Sequence, residues 1–294
     1  MRELKRLSHR NWSVLRDLWI DHVPSIDFAV EYPGPTVAQL PPITVPSFDA
    51  SGLAELPYIK GMREAVFREA ILLTRKFLYF ASVMPTLAEV GRNTSTALVA
   101  YETSFYGAKA FCYLLGFASL GRNSKCYVDA FFATERKSGK SKVIIYETLR
   151  FHQLKDRLTH DVLWALTSRL VDTTIFPEEI RDIQGELKLV DWDEFSGFRN
   201  RVYYDGSFWP MSAELDRCDI DKQVEMPDLL QASLLGLPNS APVAQDYFKV
   251  AALWRALLRE MLLSISKIAP AIGGEADAFA SLHQSRRELA TEAI

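Results

Sequence analysis

With 294 residues, 48% of them hydrophobic and 24% charged, the chain has apolar material for one large domain or two small ones, and its composition excludes wholesale disorder. A net charge of −3 excludes an overall basic field that would recruit nucleic acid or a membrane surface, so any such contact needs a local patch. Three cysteines, Cys112, Cys126 and Cys218, form neither a disulfide framework nor the paired spacing of a zinc site, and they fit a reducing compartment.

Residues 1–20 read as a short helix with Leu4, Leu7, Leu15 and Leu18 as its apolar positions. The start is basic, but no signal-peptide h-region follows it, and no apolar run reaches the roughly eighteen residues of a membrane span. A cytoplasmic protein without a membrane partner is expected. Seven of the 14 prolines fall between residues 21 and 59, which excludes long helices there. Ile26, Phe28 and Val30 permit one short strand; the rest reads as extended chain wrapped over the surface. Leu40, Ile43, Val45 and Phe48 look like residues that dock on another surface, although a linker is the competing reading.

From Gly61 a helix is expected, with Val66, Ala70, Leu73, Phe77 and Phe80 on one stripe and Arg63, Arg68, Arg75 and Lys76 largely off it, ended or kinked at Pro85. A second helix should start after Asn93, capped by Thr94 or Ser95, and run to about Leu120 through Leu98, Tyr101, Phe105, Ala108 and Cys112. Gly107 and Gly116 sit inside it. Glycine costs about 1 kcal/mol against alanine in a helix, so close helix-to-helix approach is expected at both.

Residues 125–147 change to a period of two and read as a β-hairpin with a charged turn. Helix returns over Phe151 to Val171, then briefly from Pro177 to Gly185, then over 189–204 with Trp192, Phe195, Phe198 and Val202. Phe208 to Leu215 is a strand or an extended segment. The last strong helix spans Gln245 to Ile268, with Phe248, Ala251, Trp254, Leu258, Leu262 and Ile265 in period. The fold class is therefore mainly α: a packed helical bundle with an inserted β-hairpin and a proline-rich extended N-terminal segment. Residues 1–60 form the N-terminal helix and wrap, 61–272 the helical domain with the hairpin at about 125–147, and 273–294 a tail. A two-domain split near residue 60 is the alternative.

No catalytic constellation is complete. The five histidines, His9, His22, His152, His160 and His283, show no metal-ligand spacing, and no nucleophile elbow or phosphate-binding glycine loop occurs. His152 and His160 stand eight residues apart in a predicted helix, either as two surface histidines or as a functional pair. Asp191, Asp193 and Glu194 cluster around Trp192, where a helix N-terminus favours acids. At the hairpin turn, Arg136, Lys137, Lys140 and Lys142 fall in a stretch of seven residues, as a solvated loop or as a finger that contacts phosphates.

Phe198-Arg199-Asn200-Arg201-Val202-Tyr203-Tyr204-Asp205 resembles the signature of the HEPN superfamily, small helical proteins of bacterial toxin–antitoxin and antiphage systems and some RNases. That signature is an arginine, a polar neighbour, and a histidine after four to six intervening residues. Arg199 and Asn200 match it; Tyr204 stands where the family has histidine. The Tyr101-to-Gly121 segment resembles the long helix that precedes the motif, and the resemblance spans about residues 61–270, with the hairpin as an insertion. It implies a homodimer acting on RNA or a partner protein of the same system. Arg199 would hold a phosphate, Asn200 would orient it, and no metal or other cofactor would be needed. Tyrosine, with a free pKa of about 10, is a poor proton shuttle, so this copy would bind without cutting, or His152 or His160 would substitute from another helix. Alternatively, Arg199 pairs with Asp191, Asp193 or Glu194, and the chain is a non-catalytic interaction or regulatory subunit that docks a larger effector.

Overall fold

The computed structural model describes residues 10–23, 34–41, 43–89, 93–120, 126–138, 141–154, 160–193, 195, 197, 242–275 and 277–278. The protein is mainly helical. Its helices are α1 (Trp12–Ile20), α2 (Met62–Glu89), α3 (Asn93–Leu114), α4 (His160–Thr173), α5 (Glu178–Lys188) and α6 (Pro242–Ser266). The strands are β1 (Arg10–Asn11), β2 (Leu53–Pro57), β3 (Phe117–Ser119), β4 (Cys126–Ser138), β5 (Ser141–Gln153) and β6 (Thr174–Ile175). β2, β5, β4 and β3 form, in that order, an antiparallel four-stranded sheet, while β1 and β6 make a short parallel pair.

The stripe on α2 is buried over most of its length: Val66, Ala70 and Phe77 are sealed from solvent and Leu73 nearly so, while Phe80 is half-buried. The helix continues past Pro85 to Glu89, so that proline does not end it. Arg63, expected off the stripe, is buried instead. Its Nε donates to the Ala130 carbonyl at 3.0 Å, a second nitrogen donates to the Tyr146 carbonyl, and its guanidinium lies over the rings of Tyr58 and Phe131. Burial lowers its pKa from the usual arginine value. A charge is tolerated here because carbonyls and ring faces replace its water.

Gly107 does mark a close approach. A Cβ built there would meet Trp254 Cβ and Cγ at 2.9 Å and Phe77 Cδ2 at 3.1 Å, so α3 touches both α2 and α6 at this point. Gly116 lies outside the helix, which ends at Leu114. It adopts φ +83°, and a Cβ would sit 2.7 Å from Phe131 Cδ2. Here glycine reverses the chain from α3 into β3.

The hairpin is longer than its sequence signal and is flanked on both sides. β5 runs on to Gln153, with Phe151 opposite Ala54 and Val128, and His152 opposite Leu53 and Tyr127. The helix expected from Phe151 therefore begins only at His160. Phe151 and Leu154 satisfy helical spacing locally, but β2 and β4 supply paired strands on both sides. α5 likewise continues through Gly185 to Lys188.

The core is one connected cluster. It takes in Trp12 and Trp19 of α1 together with Trp164 of α4 and Trp254 of α6, all at most 1% exposed. Indole donors anchor α1: Trp19 Nε1 to the Leu114 carbonyl at 2.8 Å, and Trp12 Nε1 to Ser264 Oγ at 3.0 Å. Leu40, Ile43, Val45 and Phe48 pack against this core, as expected of docking residues. Among the described residues no helix is long and apolar enough to cross a membrane.

Candidate functional site

Arg199, Asn200, Tyr204 and Lys140 lie outside the described residues, as does the strand considered at Ile26–Val30. Arg136 and Lys137 are exposed on β4 and Lys142 on β5. The register splits them. Arg136 is opposite Val143 on one face of the ribbon, while Lys137 is opposite Lys142, beside Glu135 and Ile144, on the other. Like charges directly opposite repel, and Glu135 relieves this by accepting from Lys142 Nζ at 2.7 Å. β3 pairs only with residues 127–129 of β4, and β2 only with 148–152 of β5. Beyond them the two strands run on as an arm of two-stranded ribbon for about 17 Å. Its Val143 and Ile144 are 45% and 59% exposed.

His152 and His160, expected on one helix, are on different elements. His152 is 3% exposed within the sheet, and neither ring nitrogen has a hydrogen-bond partner. Burial holds its pKa down to about 4; Asp129 opposes that shift, and Arg150 and Arg10 add to it. His152 is therefore a neutral core residue at pH 7.

His160 begins α4, half-buried, in an aromatic cluster. Its Nδ1 lies 2.9 Å from Tyr101 Oη, to which Trp164 Nε1 donates at 3.1 Å. The imidazole stacks on Phe105 at 4.2 Å and 22°. The same cluster reaches Phe195, which stacks on Tyr101 at 5.4 Å and packs edge-on against Trp164 at 5.0 Å. Asp191 Oδ1 accepts from the Asp193 N–H at 3.1 Å, so one member of the acidic cluster caps the local turn around Trp192. On the other side, Phe105 continues through Tyr106 and Phe80 to the exposed Tyr79, with Lys76 Nζ 4.6 Å from the Tyr106 ring centre.

Two polar groupings had no sequence signal, because their members come together only in the fold. Glu64 Oε1 and His22 Nδ1 are 2.9 Å apart, and Tyr58 Oη donates to the other Glu64 oxygen at 3.3 Å. Burial pushes Glu64 up. The hydrogen bond from His22, a backbone N–H, the charge of His22 and the hydrogen bond from Tyr58 outweigh it, leaving Glu64 below the ordinary carboxylate range. A carboxylate that orients an imidazole is the arrangement of a general base. Here it also ties the end of α1 to the first turn of α2. The second grouping is the buried ion pair of Arg10 with Asp129. Arg10 Nη1 donates to the Leu115 carbonyl at 2.8 Å, and its guanidinium lies over Phe117. Among the described residues no group of three or more histidine, cysteine or acidic side chains is placed to hold a metal ion. No protein-family model, curated protein or solved structure matches the chain.

Proposed function

We propose that the chain is a HEPN-like component of a bacterial defence or toxin–antitoxin system that binds or cleaves RNA. Arg199, Asn200 and Tyr204 form its centre, in a cytoplasmic homodimer built as a helical bundle with a proline-rich N-terminal wrap. The observation that carries this reading is the Tyr101–His160 pair against Phe195. Arg199 follows Phe195 by four residues, a chain distance of at most about 14 Å. His160, packed in the aromatic cluster that holds Phe195, is the candidate for the imidazole that the motif lacks, since Tyr204 stands where the family has histidine. Arg136 and Lys137, exposed on opposite faces of the arm, supply the local positive charge that a net charge of −3 conceals.

A second reading, an interaction subunit that docks a larger effector, is favoured by one observation: Val143 and Ile144 are exposed on the same arm, whose outer strand edges carry no partner among the described residues. The test is incubation with total RNA and tRNA, with and without a chelator. Arg199→Ala should abolish binding or cleavage without lowering thermal stability, and Tyr204→His should gain chelator-resistant cleavage. If Arg199→Ala destabilises the protein with no effect on RNA, and Tyr204→His changes nothing, the motif is coincidental.

A further inference from the structure

The two edges of the arm differ in what they offer a neighbouring strand. Beyond the reach of β3, β4 carries Glu135, Arg136 and Lys137 in succession, all exposed. Charges of this kind protect an edge from pairing with another chain. The outer edge of β5 has no such protection. Between Lys142 and Glu147 it reads Val143-Ile144-Ile145-Tyr146, uncharged residues of high strand propensity. β2 stops at the pair of Pro57 with Thr148, and the Tyr58 N–H donates to the Glu147 carbonyl at 2.8 Å, so cover by that segment ends there. From Lys142 to Ile145, β5 pairs with no strand other than β4 among the described residues. Val143 and Ile144, on opposite faces of this stretch, are 45% and 59% exposed.

A second copy of the chain fits this edge. Two such strands laid antiparallel about a two-fold axis near Val143 and Ile144 set the apolar side chains of both copies side by side. The same arrangement brings the Lys142 end of each strand to the Glu147 end of the other. Lys142, bridged to Glu135 within its own arm, then meets a second carboxylate. Parallel pairing would set Lys142 beside Lys142 and Glu147 beside Glu147, and like charges so placed repel. The arm gains as well, because a ribbon of two strands is marginal in water and further strands support it.

We propose that two copies of the chain associate through the outer edges of β5, antiparallel, so that their arms join into one sheet in the order β4-β5-β5-β4. Arg136 and Lys137 then lie on the two outermost strands, on the rim of a single surface. This gives a contact to the homodimer of the reading proposed above; that the rim meets phosphates rests on that reading, whereas the pairing rests on the arm alone. An edge this short buries less than a standard interface, so the dimer should be weak and concentration-dependent.

Sedimentation equilibrium of the full-length, RNA-free protein over a range of concentrations reads the association. Wild type should show a monomer–dimer equilibrium. Ile144→Lys, at an exposed position, should keep the wild-type Tm and weaken dimerisation by about tenfold, while Arg136→Ala on the other edge should leave it unchanged. Ile144→Cys should give an intermolecular disulfide on mild oxidation, above any wild-type background, and Arg136→Cys should not. A wild type that is monomeric at every concentration would overturn the proposal. So would a dimer equally stable in Ile144→Lys, which leaves the homodimer reading standing with its contact elsewhere. A wild type that dimerises through Ile144 but binds no RNA would remove that reading and leave the arm pairing intact.

Discussion

The contact at Gly107 sets two effects of known sign against each other. Replacing an interior helical glycine by alanine should stabilise a helix by about 1 kcal/mol. At Gly107 the new methyl would sit 2.9 Å from Trp254 Cβ and Cγ and 3.1 Å from Phe77 Cδ2. Ordinary carbon contacts are about 3.5–4.0 Å, so α3 and α6 would have to separate by roughly 0.6–1 Å. Trp254 Cβ is not the end of a flexible side chain. The residue is 0% exposed, with its ring packed against Phe111 and Trp192. Overpacking of this kind costs about 1–3 kcal/mol. Gly107→Ala should therefore lose about 1 kcal/mol net.

Gly185 is the internal control. It lies inside α5, exposed, with nothing within 4 Å of a built Cβ. Only the propensity effect operates there, so Gly185→Ala should gain about 1 kcal/mol. Thermal unfolding of the two variants should show Tm displaced in opposite directions, by about 3 °C each. If Gly107→Ala raised Tm as Gly185→Ala does, the helices would not meet at Gly107 as described.

Asp129→Asn should cost about 3–5 kcal/mol in chemical denaturation, because it leaves Arg10 buried without its countercharge; Glu135→Gln, which breaks the exposed pair with Lys142, should cost less than about 1 kcal/mol. His152 makes acid destabilising: its folded pKa is about 4 against 6.5 for the free side chain, so below pH 6.5 the unfolded chain binds a proton that the folded one does not. Stability should therefore fall as pH drops from 6.5 toward 4, by up to about 1.4 kcal/mol per pH unit. His152→Leu should remove that part of the slope, and an unchanged slope would show that His152 is not buried neutral.

Much of the fold was legible from period alone. The stripes of α2 and α6, the hairpin, the docking apolar residues after Leu40 and the close approach at Gly107 all follow from local spacing and residue type. What local spacing does not carry is the choice made by distant partners. Phe151 and Leu154 fit a helix as well as a strand, and β2 and β4 decide between them. Arg63 reads as a surface cation until Ala130 and Tyr146 supply the carbonyls that bury it. Arg10 and Asp129 are 119 positions apart. In the candidate site, the arm cations were legible as a cluster, but their division between two faces needed the register. The pairing of Tyr101 with His160, 59 residues apart, left no trace in the sequence.

RNA binding by this protein is tested by fluorescence anisotropy of a labelled single-stranded RNA titrated at several salt concentrations. Wild type, Arg136→Glu/Lys137→Glu and Arg199→Ala would be compared. The expected result is binding that weakens with salt, with the log–log slope reduced by about 1.4 in the arm variant, at about 0.7 per lost phosphate contact, and affinity lost in Arg199→Ala. No binding by the wild type, or the same affinity and slope in all three proteins, would contradict an RNA-binding role for Arg199 and the arm.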